Sequence, residues 1–383
     1  MKIQAAVIWE AQSDWSVEPV ELDPPKRGEV MVEIVAAGLC HSDEHFLTGD
    51  MTLPDEMLDQ LGIAMYPAIG GHEGSGRIVE VGEGVTDLAA GDHVVFSFVP
   101  SCGHCPSCAT GHQNLCDVGA VLLAGRQVGD FTARHHARGE DLAVLCCIGS
   151  FAEYTVVSAL SCVKIDKDIP LDKAALVSCG VTTGWGSAVY AGKVQPGDTV
   201  AVVGCGGIGM NAVQGAAMSG ARHVVAVDPV PFKREQAPVF GATHSAASME
   251  EAVGLIGELT HGQMADKVIV TVGLLQGDHI QAALSLAGKL GRVVITSVAP
   301  YAANQATLSM FELVMFEKQL VGSAFGSANP RRDIPRLLRL YQEGRLKLDE
   351  LVTTTYPLEE VNLGYQAMRN GTNVRGMILN HRG

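Results

Sequence analysis

Apolar and polar positions change rhythm twice along the chain. The first third carries short runs with strand character, Val30 to Ala36 and Gly76 to Val81 among them, broken by Gly-Asp and Gly-Glu turns. Such runs predict strands, so this part reads as a β-rich, partly irregular domain. From about residue 180 apolar strands alternate with helical stretches. Thr199 to Val203, His223 to Val227, Lys267 to Val272 and Arg292 to Ser297 are the expected strands, spaced widely enough for crossover helices, and the pattern predicts a doubly wound parallel sheet. Beyond about residue 325 the chain is mixed again, with an amphipathic helix expected around Ile334 to Gly344 and a last strand near Gly376 to Leu379. No Pro/Ser-rich linker separates the parts, so two domains packed together are expected, with the tail returning to the first.

Length agrees with this reading, because 383 residues imply two or three domains. The 27 basic against 42 acidic residues give a net charge of −15, which opposes binding to nucleic acid or anionic lipid. The longest uncharged stretch, Thr199 to Ala221, could imitate a membrane span, but six glycines with Asn211 and Gln214 mark it as a buried strand, a turn and a helix. The first residues reach Glu10 without an uninterrupted apolar core, so no signal peptide and a cytoplasmic address are expected. Ten cysteines in a reducing compartment then read as ligands or buried thiols rather than disulfides.

Gly204-Cys205-Gly206-Gly207-Ile208-Gly209 follows the expected strand Thr199 to Val203 and opens a helix through Asn211 to Met218. Glycines there permit a tight turn and backbone approach to a pyrophosphate, and the helix N-terminus favours phosphate charge. Asp228 ends the next strand, 19 residues past Gly209. Its carboxylate suits the adenosine ribose hydroxyls and repels a 2′-phosphate, which favours NAD over NADP.

Cys102, Cys105, Cys108 and Cys116 form C-x2-C-x2-C-x7-C, a spacing that can close a tetrahedral zinc shell. An iron–sulfur cluster is the chemical rival, and four unrelated thiols the bland one. A zinc held by four thiolates has no open position and would be structural. Cys40 in GLCHSDEH, His72 in GGHEGSG and Cys179 in VSCGVTTGWG together offer two sulfurs and one nitrogen. That set suits a catalytic zinc with its fourth position open, although spacing alone does not join the three.

These motifs occur in the order found in the zinc-dependent medium-chain alcohol dehydrogenases, which the chain resembles over essentially all its length, to a terminal NVRGMIL. The resemblance implies an α/β fold: a GroES-like β-barrel catalytic domain over residues 1–180, with a structural zinc lobe at about 100–118, a Rossmann doubly wound parallel sheet over 181–324, and a return to the catalytic domain over 325–383. DPVPFKREQAPVFGATH, ADKVIVTVG, MFEKQLVGSAFGSANPRRDIPRLL and GRLKLDELVT are most similar to the nitrosodimethylaniline-dependent, mycofactocin-associated dehydrogenases. That likeness implies two Zn2+ per chain, NAD(H) retained as a prosthetic group and reoxidised in place by an external, mycofactocin-like acceptor, and a homo-oligomer formed by strand pairing between cofactor domains. The implied reaction oxidises a primary alcohol, aromatic or aliphatic, to its aldehyde. Rival readings are a glutathione-dependent formaldehyde dehydrogenase with exchangeable NAD and a non-catalytic NAD-binding scaffold.

Roles implied by the resemblance fall on Cys40, His72 and Cys179 as catalytic-zinc ligands and on Cys102, Cys105, Cys108 and Cys116 as structural-zinc ligands. Ser42 accepts the alcohol proton and His45 relays it. Asp43 backs His72, and Glu73 either assists ligand exchange near the zinc or forms an ordinary buried ion pair. Cofactor contacts fall on Thr183, Gly204, Gly206, Gly207, Ile208, Gly209, Asp228, Lys233, Val298 and Arg375, and on His41, where some relatives carry arginine. Cys146, Cys147, Cys162 and Cys205 read as buried apolar thiols. His135 and His136 should point apart on a strand and meet solvent or loops. The segment from Asp50 to Ile69 is expected to shape a substrate entrance or a subunit contact.

Overall fold

The computed structural model describes residues 1–380 and divides into two compact units, Met1–Cys179 with the chain from Asn329, and Gly180–Ala328. In the first unit Lys2–Ile8, Ser16–Leu22, His135–Ala137, Glu140–Val144 and Ala68–Ile69 close a five-stranded barrel. A second sheet runs in the order Cys162–Ile165, His93–Phe96, Gly74–Val81, Glu29–Gly38, Arg375–Leu379 and Val352–Tyr356, with Tyr154–Ser158 also on Glu29–Gly38. Glu29–Gly38 is central and nearly all buried, so apart from the half-buried Glu33 its run Val30 to Ala36 is apolar on both faces. The tail enters this sheet through Met377 opposite Gly38.

The second unit is a six-stranded sheet ordered His244–Ala246, His223–Val227, Thr199–Val203, Ala265–Val270, Ala287–Ile295 and Gln319–Gly322, parallel throughout. Thr199–Val203 and His223–Val227 coincide with expectation because continuous β-branched runs buried on both faces leave little latitude. The next two strands start earlier than expected, at Ala265 and Ala287, and stop at Val270 and Ile295. Polar Asp266 and Lys289 disguise those starts, because exposed positions interrupt the burial there. Thr199 to Ala221 is a strand, a turn and the helix Gly207–Met218. No helix among the described residues is long and apolar enough to cross a membrane.

The tail helix expected around Ile334 spans Pro330–Gln342. Pro330 sits in its first turn, where a missing N–H costs nothing, and Asn329 N–H donates to the Asp333 carboxylate at 2.7 Å. The Asp50 to Ile69 segment contains the helix Asp55–Leu61. Leu53, Leu58, Met65 and Tyr66 pack it onto an apolar cluster that includes Trp15, Phe46, Phe151 and Tyr365.

Candidate active site

Cys40 caps the helix His41–Thr48, His72 precedes the strand Gly74–Val81, and Cys179 ends the first unit's N-terminal segment. Separated by 32 and 107 residues in sequence, counted as 72 − 40 and 179 − 72, the three meet with ligand atoms all within 4.8 Å of one another. All three residues are buried. Asp43, one turn along that helix and 0% exposed, places Oδ2 3.1 Å from His72 Nδ1, so Nε2 is the ring atom left for a metal. The other Asp43 oxygen accepts from Gly71 N–H at 2.8 Å. Cys179 bonding to Cys40, helped by nearby His72 and Arg375, holds the Cys40 thiol well below its ordinary value against the effect of burial. A thiolate beside a second sulfur and a nitrogen is a donor set that fits zinc.

Ser42 Oγ lies 3.9 Å from Cys40 Sγ. His45 is buried, with Nδ1 3.3 Å from Asp50 Oδ2, a partner that motif position did not reveal. His41 is exposed, its ring centroid 6.3 Å from that of His45. Glu73 pairs with Arg375, and both are buried. Of the two sequence readings for Glu73, the ion pair is the one observed, and the Arg375 guanidinium faces that carboxylate. Phe98, not expected from sequence, stands edge-on to His72 at 5.8 Å.

The four-cysteine lobe brings Cys102, Cys105, Cys108 and Cys116 within 4.8 Å of one another. Cys102–Cys108 and Cys105–Cys116 sulfurs are 3.9 Å apart, near the edge of about 3.8 Å expected for a tetrahedron with ~2.3 Å metal–sulfur bonds. An iron–sulfur cluster would spread the sulfurs farther, since its four cysteines are divided among two or four irons instead of closing on one metal. Backbone N–H groups of Cys102, Cys105 and Cys108 each donate to a sulfur of the set at 3.4 Å. Backbone donors from His104 and Cys105 pull the Cys102 thiol down to about 6, whereas burial pushes Cys108 up to about 12.

In the second unit the glycine turn sits between strand Thr199–Val203 and helix Gly207–Met218, with Gly206 as N-cap. Gly204 has φ +91°, and a Cβ on Gly209 would fall 1.8 Å from Gly204 O, so both positions require glycine. A Cβ on Gly206 would meet nothing within 4 Å, which is the room a pyrophosphate needs. Asp228 is buried and braces the turn, accepting from Cys205 N–H at 2.8 Å and Val230 N–H at 2.9 Å. Lys233 Nζ lies 4.0 Å from Asp228 Oδ2. Thr183 Oγ1 is buried without a hydrogen-bond partner among the described residues. Val298 O accepts from Leu275 N–H at 2.8 Å.

Two expectations need correction. His135 and His136 do point apart, but His135 is 1% exposed and enclosed by the barrel rather than by solvent or a loop. Its strand pairs with Ser16–Leu22 and Glu140–Val144, which closes the barrel over that face. Cys146 is only half-buried, whereas Cys147, Cys162 and Cys205 are buried.

Residues 26–167 match the alcohol dehydrogenase GroES-like domain, and 207–343 match the zinc-binding dehydrogenase family. The chain is 51% identical over 379 residues to the NDMA-dependent alcohol dehydrogenase of Amycolatopsis methanolica, covering 99% of both chains. The chain belongs to the zinc-dependent medium-chain alcohol dehydrogenases. It is likewise 49% identical to alcohol dehydrogenase B of Mycobacterium tuberculosis H37Rv, over 99% of this chain and 98% of the relative. The crystal structure of an alcohol dehydrogenase zinc-binding domain protein from Burkholderia ambifaria superposes with a TM-score of 0.89 at 32% identity, covering 100% of each. The chain is therefore an enzyme, an oxidoreductase acting on alcohols, of a zinc-binding dehydrogenase family. The scaffold reading falls with that assignment.

Proposed function

We propose that this dehydrogenase oxidises a primary alcohol to its aldehyde with one zinc held by Cys40, His72 and Cys179 and a second held by the four-cysteine lobe. The convergence of the three buried donors carries the reading, because three protein ligands leave a four-coordinate zinc one position for substrate. Zinc there supplies Lewis acidity that lowers the pKa of an alcohol, and NAD+ supplies the hydride acceptor.

The chain's own residues handle the proton and the orientation. Ser42 accepts the alcohol proton, and His45 takes it onward. Asp50 orients the imidazole and offsets the positive charge it gains. The Thr48 hydroxyl, and then His45 itself, keep the Asp50 carboxylate below its usual range, so it stays anionic throughout that transfer. Asp43 fixes His72 in the tautomer that presents Nε2. Phe98 beside His72 offers an apolar wall, which suits an aromatic or aliphatic alcohol better than a charged one.

The glycine turn, Asp228 and Lys233 hold the adenosine and pyrophosphate, and Thr183, Val298, His41 and Arg375 complete the cofactor set. Likeness to an NDMA-dependent enzyme supports NAD(H) that stays bound and is reoxidised by an external acceptor, and the same reading has the chain assemble as a homo-oligomer. Mass spectrometry of gently purified, then denatured protein tests this reading. Two zincs and stoichiometric NAD(H) per chain are expected; cofactor-free protein that turns over with added NAD would reject retention. Turnover that required glutathione would favour the formaldehyde dehydrogenase reading. Cys179→Ala should abolish alcohol oxidation while leaving the fold.

A further inference from the structure

The helix Val361–Arg369 of the returning tail grips the segment that carries Cys40 at several points. A Cβ on Gly364 would fall 2.3 Å from Leu39 Cδ1, so the helix backbone lies directly on the residue before Cys40. Arg369 Nε donates to Glu44 Oε1 at 2.5 Å, on the helix that bears Asp43. Asn362 exchanges two hydrogen bonds with the backbone of Trp15, at 3.1 and 2.9 Å.

Tyr365 lies between these grips, one residue after Gly364 and four before Arg369, and is 0% exposed. Its ring centroid is 6.2 Å from both Trp15 and Phe151, which are themselves 5.8 Å apart. Trp15 and Phe151 press on Gly70, where a Cβ would come within 2.8 Å of either ring. Gly71, the next residue, donates its N–H to Asp43. The aromatic triangle is thus built against the backbone that holds the carboxylate behind His72.

Two polar atoms of the triangle, Tyr365 Oη and Trp15 Nε1, are buried with no hydrogen-bond partner among the described residues. A buried hydroxyl left unpaired is destabilising, so native proteins supply a partner, commonly an ordered water. Asp43 is short of donors. It is a fully buried carboxylate with capacity for about four bonds, and it meets Gly71 N–H on one oxygen and His72 on the other. Burial, and after it the Asp43 charge, hold the Tyr365 phenol well above its ordinary value, as a nearby carboxylate should.

We propose that Tyr365 is a positioning residue for the zinc ligand His72, its hydroxyl donating through one buried water to the Asp43 carboxylate. The inference rests on the assignment of Cys40, His72 and Cys179 as zinc ligands. With the added donor Asp43 is held in the orientation that keeps His72 Nε2 on the metal. A purely structural Tyr365 would tolerate loss of an unpaired hydroxyl, because removing one is neutral or stabilising.

The test measures zinc release from the purified holoenzyme to a chromogenic chelator, in wild type, Tyr365→Phe, Asp43→Asn and the double variant. Cys179→Ala identifies the phase belonging to the three-ligand site. Tyr365→Phe should release that zinc about ten-fold faster, the lower end for loss of a group supporting a ligand. Release from the four-cysteine lobe should not change. In the Asp43→Asn background Tyr365→Phe should add nothing, since its route to His72 is gone. Wild-type release from Tyr365→Phe, or an equal acceleration in both backgrounds, overturns the positioning role. A release profile that Cys179→Ala leaves unaltered overturns the ligand assignment, and this proposal with it.

Discussion

Arg375 and Glu73 form an ion pair in the interior, one residue beyond His72, with the guanidinium 6% exposed and the carboxylate fully enclosed. Glu73, followed by the Cys40 and Cys179 sulfurs, holds the guanidinium charged despite burial. Glu73→Gln leaves a desolvated cation without its main counter-charge, and unfolding free energy in urea should fall by about 3–5 kcal/mol. Neutralising the other side as well, with Arg375→Met, should recover most of that loss. A single variant within 1 kcal/mol of wild type would show that the pair does not hold the tail strand in place.

How far such features were legible follows from where their partners lie. The turn Gly204 to Gly209 and the quartet Cys102 to Cys116 are local, so their spacing announces their geometry. Cys40, His72 and Cys179 are not local; only the family resemblance joined them, and the sheet now explains how they meet. Asp50 beside His45 and Arg369 on Glu44 had no readable sign, because an exposed-looking acid or arginine carries no marker of its partner. His135 was misread for the same reason. Alternation on a strand says that neighbours point apart, but not which side is closed by the rest of a barrel.

His135 makes stability depend on pH. Burial first, then His136, lowers its pKa from 6.5 to about 3, so the folded protein keeps it neutral where the unfolded chain takes up a proton. Between about pH 6.5 and 3 the unfolded state therefore binds more protons, and stability falls as pH falls, at up to about 1.4 kcal/mol per pH unit. Above pH 6.5 both states are neutral and the effect vanishes. Urea titrations from pH 7 to pH 5 should show a shallower decline for His135→Gln than for wild type; equal slopes would mean that this ring is not the group responsible.

The lobe makes a separate claim about zinc. Cys105 donates its N–H to Cys102 and its sulfur accepts from Cys108 N–H, so it is tied to both neighbours in the quartet. Cys105→Ser replaces a soft thiolate by a hydroxyl that binds zinc poorly. Zinc content should fall from two per chain to one, and limited proteolysis should open new cleavage within residues 100–118 while the three-ligand site keeps its metal. A variant that retains both zincs would return the quartet to the status of unrelated thiols.

Asp228 does two things at once, and the variant that separates them is Asp228→Asn. The carboxylate accepts from Cys205 and Val230, bonds an amide oxygen can accept only in part. In the cofactor site proposed above, its negative charge suits ribose hydroxyls and repels a 2′-phosphate. Losing a hydrogen bond to a charged group costs about 1.5–3 kcal/mol, so NAD should bind roughly ten- to a hundredfold more weakly. NADP, relieved of the repulsion and still close to Lys233, should gain relative to NAD. Fluorescence titration of cofactor-stripped protein with each nucleotide gives the two affinities directly. If the ratio of NAD to NADP affinity stays at the wild-type value while both weaken together, Asp228 acts as a brace of the turn and the source of cofactor preference lies in another residue.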